Sequence, residues 1–122
     1  MADRERPPVL PVMLDLTAEQ ELLRTESLRF ERRRCPLERV RELAETRGFD
    51  REYWQQAAEL GWFAALVPDS LGGGSVSGRG VLDAVIIGVE RGRLLQPGPF
   101  VGSNVVAWAL ASDDTGDWTT VI

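Results

Sequence analysis

Between Gly72 and Gly80 five of nine residues are glycine, a density at which the chain must turn rather than continue a helix. Such a stretch either cradles a phosphate with backbone N–H groups or makes a wide turn between helices, and the two readings lead to different proteins. A Walker loop, G-x-x-x-x-G-K-[ST], needs a lysine against the phosphate charge, and all 14 basic residues here are arginine. A dinucleotide fingerprint needs G-x-G-x-x-G after a strand. Counted from Gly72 its last position is Ser77, from Gly78 it is Asp83, and from Gly73 the second glycine is Ser75. The reading is therefore a wide turn that leaves Val67-Pro68 and enters a buried helix near Gly80. An anion met through backbone N–H groups is the alternative.

The turn also divides the chain by charge: residues 1–60 hold 24 of its 33 charged residues. Thr17-Ala-Glu-Gln20 has capping-box spacing, and Glu19 and Glu21 suit the positive end of a helix. A first helix is predicted over about 18–34, with Leu23, Ser27 and Phe30 on one stripe. Cys35-Pro36 interrupts it. Pro36 at a first helical position then opens a second helix in which Leu37, Val40, Leu43 and Ala44 recur, and a left-handed Gly48 ends it. Asp50 caps a third, with Tyr53, Trp54, Ala57 and Ala58 facing inward and Gly61 as its stop. Beyond the turn, Val81 to Val89 and Phe100 to Ala111 are apolar on nearly all sides, the pattern of helices covered by a larger body or an interface. The β-branched run Val85-Ile86-Ile87 also fits a buried strand.

Pro7, Pro8 and Pro11 make residues 1–16 an extended arm. Residues 112–117 read as a loop, and Trp118-Thr-Thr-Val-Ile122 has strand composition with no strand to pair against. The expected organisation is the arm, an all-α bundle of about five helices over residues 17–111, and a segment 112–122 that links to the first strand of a missing β domain.

Composition narrows the chemistry. With no histidine and a single cysteine, Cys35, the chain cannot build a Ser-His-Asp triad, a Cys-His pair or the usual zinc ligand sets. No catalytic, cofactor-binding or metal-ligating residue is assigned, and Cys35 reads as a packed loop thiol. A net charge of −5 gives no long-range attraction to nucleic acid or anionic lipid. Arg32-Arg33-Arg34 reads as a solvated helix face ion-paired with Glu26, Glu31 and Glu38. The longest apolar run, Val105 to Ala111, is seven residues, against the roughly 20 that span a bilayer, and the first residues lack the apolar region of a signal peptide. The expectation is a soluble cytoplasmic protein that engages neither nucleic acid nor membrane. Glu90, beside Arg91 and Arg93, reads as charge-paired or helix-packing rather than as a proton-transfer group, and the remaining acids as dispersed on exposed helices.

Two longer segments carry a resemblance. Gly61 to Gly73 reads G-W-x-x-x-x-V-P-x-x-x-G-G, and Glu90 to Pro99 reads E-x-G-R-x-L-x-P-G-P. In that order and at that distance, over roughly residues 17–111, the chain resembles the N-terminal helical domain of the acyl-CoA dehydrogenase family, bacterial members more than mitochondrial ones. The resemblance implies an α-helical domain followed by a β domain and a C-terminal helical bundle, with FAD between the latter two and a neighbouring subunit often completing its site. It implies removal of an α-proton from an acyl-CoA thioester by a carboxylate base and passage of the β-hydride to the flavin. Base and flavin contacts would lie almost wholly beyond Ile122, so the chain alone is expected to be inactive. Partners would be the missing domains or a partner subunit, in a homo- or hetero-oligomer. The family's helix after the glutamate-bearing one walls the acyl cavity, which makes Phe100, Ser103 and Asn104 candidates to face an acyl or sterol group. The alternative is that Phe100 is ordinary core and the other two are early-turn polar residues. A non-catalytic helical interaction module is the competing function.

Overall fold

A computed structural model describes residues 15–113. They form five α-helices: α1 Ala18–Arg34, α2 Leu37–Thr46, α3 Arg51–Glu59, α4 Gly80–Arg93 and α5 Phe100–Ala111, with a 3₁₀ turn at Asp69–Leu71. The fold is all-α, as the sequence indicated. Most of the expected arm and the expected strand at Trp118 to Ile122 lie outside the described residues.

Local chemistry sets the helix ends. The Thr17 hydroxyl accepts the Gln20 N–H, and the Gln20 side chain accepts the Thr17 N–H at 2.9 Å, completing the capping box. Asp50 caps α3 through the Tyr53 N–H at 3.0 Å. Gly61, at φ +83°, ends α3 in the left-handed region and donates to Ala58 O at 2.9 Å, while Trp62 N–H reaches back to Ala57 O. That double closure drops Trp62 into the core as the hydrophobic contact of the cap.

Two expectations need correction at α2. Pro36 precedes the helix in an extended conformation instead of occupying its first turn. The left-handed residue at its end is Arg47, φ 51°, not Gly48. Gly48 sits close to its neighbours: a Cβ there would stand 2.9 Å from Thr46 Oγ1 and 3.3 Å from a Leu43 methyl, both ends of side chains. Ala44 and Ala58, placed on inward stripes by their spacing, are exposed, because short helices bury only a narrow line of each face.

The core is aromatic. Phe30 of α1 stacks on Tyr53 of α3 at 5.3 Å between centroids, and Trp62 meets Phe30 edge-on at 5.5 Å and Phe100 of α5 at 6.2 Å. Leu43, Ala57, Ile87 and Cys35 fill the space around them. Such edge-to-face pairs add about 0.5–1.5 kcal/mol each beyond the area they bury. Val85-Ile86-Ile87 is helical: α4 lies along α1 and turns Ile86 and Ile87 inward while Val85 stays exposed. The apolar second half is covered only in part, since Val81, Val101, Val105, Val106 and Trp108 each expose more than half their surface.

Candidate functional site

α3 and α5 enclose an apolar cleft of about 520 Å³, lined by Trp54, Gln55 and Ala58 from one side, by Phe63, and by Pro99, Gly102, Ser103, Val106, Ala107 and Leu110 from the other. The sequence produces it simply. Small residues at Ala58, Gly102 and Ala107 leave width between the helices, and the aromatic pair Trp54 and Phe63, 4.6 Å apart, provides a wall. Qualitatively this is the make-up of a small-molecule pocket, apolar with few polar groups.

The three residues singled out on α5 part company. Ser103 lines the cleft. Phe100 is buried in the core against Trp62, Phe63 and Arg91. Asn104 is buried one turn further on; its amide N–H groups donate to Trp62 O at 3.2 Å and Phe100 O at 3.1 Å, and its Oδ1 has no partner. Phe100 and Asn104 thus fix the direction of α5, and Ser103 stands on the face that this direction presents to the cleft.

Behind the cleft lies a buried cation. The Arg91 guanidinium sits 5.4, 5.0 and 5.3 Å from the ring centroids of Trp54, Trp62 and Phe100, a cage in which desolvated cation–π attraction is worth about 2 kcal/mol. It donates to the Tyr53 hydroxyl at 3.2 Å and to Pro97 O. Tyr53 donates onward to Gln96 at 2.6 Å, and Gln96 donates to Cys35 O at 3.0 Å. One network therefore ties the end of α1, α3, α4 and the Pro97-Gly98-Pro99 elbow. Burial holds the Tyr53 hydroxyl above its usual range.

Glu31 adjoins this network. It is fully buried, and neither carboxyl oxygen has a hydrogen-bond partner. Burial pushes its carboxyl up to about 7 against the pull of Arg91, with Glu90 raising it further. Glu90 is buried too, but Arg24 meets it at 3.0 Å and Arg93 at 3.4 Å, so the charge-paired reading holds. The expectation that the remaining acids lie on exposed helices fails at Glu31 and Asp83, both of which are buried. The signals were present: Gln20, Ser27, Phe30 and Glu31 share the inward stripe of α1, and Arg91 follows Ile87 by one turn. The arginine run also behaves differently. Arg34 pairs with Glu52 of α3 at 2.9 Å, while Arg32 and Arg33 stand exposed beside an open groove along α1.

The glycine turn does not fit a pyrophosphate. Gly72, Gly73 and Gly74 donate to Asp69 O, Pro68 O and Ala64 O. Ser77 N–H, Ser77 Oγ and Ser75 Oγ all donate to the buried carboxylate of Asp83. The anion this loop holds is the protein's own. Gly73 and Gly80 are there for close packing, since a Cβ would stand 2.3 Å from Val67 O and 2.0 Å from Ala65 O. The described residues thus form no dinucleotide cradle, hold no group of side chains suited to a metal, and include no helix long and apolar enough to cross a membrane.

An all-α domain closed on an aromatic core, with an apolar cleft between two of its helices, is the class these features define. The chain belongs to the acyl-CoA dehydrogenase family: the family model described as acyl-CoA dehydrogenase, N-terminal domain, matches residues 17–114. It is 36% identical over 69 residues to acyl-CoA dehydrogenase IpdE2 of Mycobacterium tuberculosis (strain ATCC 25618 / H37Rv), a match covering 56% of this chain and 21% of that protein. The matched region is thus about a fifth of that relative's length. No solved structure matches the chain significantly.

Proposed function

We propose that this chain serves as the N-terminal helical domain of an FAD-dependent acyl-CoA dehydrogenase that introduces an α,β-double bond into an acyl-CoA thioester. The α3–α5 cleft carries the proposal: it is an apolar, partly enclosed volume of about 520 Å³, larger than the apolar hollow beside Cys35 and Leu94, and it is lined by the helix that follows the glutamate-bearing one. In this reading Ser103 contacts the acyl group, and Phe100 and Asn104 hold α5 at the distance that gives the cleft its width. Since the glycine turn does not fit a pyrophosphate, cofactor and catalytic base are assigned to a β domain and a C-terminal bundle, in the same polypeptide or in a partner subunit of a cytoplasmic homo- or hetero-oligomer.

The test is to purify the complete protein from its source, record its native mass and bound flavin, and add acyl-CoA thioesters of increasing length. Bleaching of flavin absorbance by one range of thioesters is the expected result; a flavin-free protein inert to all of them refutes the reading. A second reading, a helical interaction module without catalysis, draws on the exposed apolar stripe Val101, Val105 and Trp108 of α5. A flavin-free species of this length in complex with another protein would support it.

A further inference from the structure

One side chain of the cleft's aromatic wall, Trp54, is held by residues that do not themselves line the cleft. Trp54 lines the cleft, whereas Arg91 and Gly98 do not. Both lie against the Trp54 ring from outside the cleft lining. The guanidinium lies 5.4 Å from the ring centroid. The Gly98 backbone is so near that a Cβ there would stand 2.4, 2.9 and 3.0 Å from Cζ3, Cε3 and Cη2 of the ring. Gly98 also holds φ +99°, a conformation that other residues rarely adopt. Phe63 and Phe49 flank the ring at 4.6 and 5.8 Å. Arg91 in addition donates to Pro97 O, so the cation that backs the ring also holds the elbow from which α5 starts.

We infer that Trp54 is the specificity-determining side chain of the cleft, a fixed aromatic panel that sets how broad an apolar group fits between α3 and α5, with Arg91 and Gly98 as its positioning residues. The inference rests on the proposal that the cleft takes the acyl part of a thioester. Across from the panel, a Cβ on Gly102 would meet nothing within 4 Å. Bulk can therefore be added on that side without strain, and width can be changed from either wall.

The experiment uses the complete protein and two probes of equal carbon number, a straight-chain and a ring-bearing acyl-CoA thioester, with binding measured by calorimetry and turnover followed in parallel. Trp54→Leu widens the cleft and shifts the affinity ratio about tenfold toward the ring-bearing thioester, the scale on which an apolar pocket discriminates. Trp54→Phe shifts it less. Gly102→Leu narrows the cleft and shifts the ratio the other way, as does Gly98→Ala by pushing the ring forward; should Gly98→Ala not fold, Gly102→Leu carries that arm. Equal losses for both thioesters in every variant, or shifts of one sign only, overturn the inference. A wild-type protein that binds neither thioester overturns it together with the reading of the cleft.

Discussion

Replacing Glu31 with glutamine should stabilise the protein at neutral and alkaline pH. The carboxyl is fully buried without a hydrogen-bond partner, and burial moves its titration from 4.5 to about 7. The folded state therefore favours the protonated form by about 3 kcal/mol, at 1.36 kcal/mol per tenfold change in proton affinity. The sign follows from the direction: with the folded value raised, the folded state binds more protons than the unfolded one between about pH 4.5 and 7. Stability is full below that window and falls as pH rises through it. Glutamine cannot ionise, so the variant lacks this decline, while Arg91 keeps Tyr53, Pro97 O and its three rings. Urea unfolding of both proteins from about pH 4 to 8 should give nearly coincident stabilities at the acid end. At the alkaline end the variant should be ahead by up to about 3 kcal/mol, a melting shift on the order of 10 °C for a domain of this size. A variant less stable than the wild type at pH 8, or a difference that does not change with pH, would refute the assignment of a strained, proton-hungry carboxyl.

Asp83→Ala leaves Ser75 and the two Ser77 donors without their acceptor. It should cost about 3 kcal/mol in urea unfolding and speed amide exchange across residues 72–80; unchanged exchange there would show that the turn does not depend on the carboxylate. Cys35 is buried and its thiol is pushed up by burial first and by Asp50 second, so a thiol reagent should label it only at the rate of unfolding. Fast labelling of the folded protein contradicts this. Asp50 is held below the usual carboxylate range chiefly by the Tyr53 N–H; burial opposes this next, and Arg39 adds a smaller pull downward. Its contribution is present above the ordinary carboxylate value and lost as pH falls toward the lowered one. Asp50→Ala should lose about 1 kcal/mol at neutral pH and less in acid, which the same pH series measures.

Much of the fold was legible because its determinants are local. A capping box needs only Thr17 and Gln20, an N-cap only Asp50, and a left-handed stop only Gly61, and each acts within one helical turn. Where two local solutions compete, the sequence is silent: Arg47 and Gly48 can both end α2, and in the fold the left-handed conformation falls to Arg47. Val85-Ile86-Ile87 fits strand or helix until α4 lies along α1. Of the candidate site, α5 was identified with its correct start. The division of labour between Ser103 and its neighbours Phe100 and Asn104 was not, because it depends on which side of α5 faces Trp62.

The sequence by itself determined where α1, α3 and α5 begin, that the glycine turn lacks the residues of a nucleotide loop, and that triad and zinc chemistry cannot be built from this chain. These follow from residue type and spacing along one strand of covalent bonds. Only the tertiary structure decided that Glu31 is buried without a hydrogen-bond partner, that Arg91 is caged by Trp54, Trp62 and Phe100, and that Gly98 leaves room for an indole ring. Burial is a property of several elements together. The 38 positions between Arg91 and Tyr53, and the 29 between Arg91 and Trp62, become angstroms only when five helices close on one core.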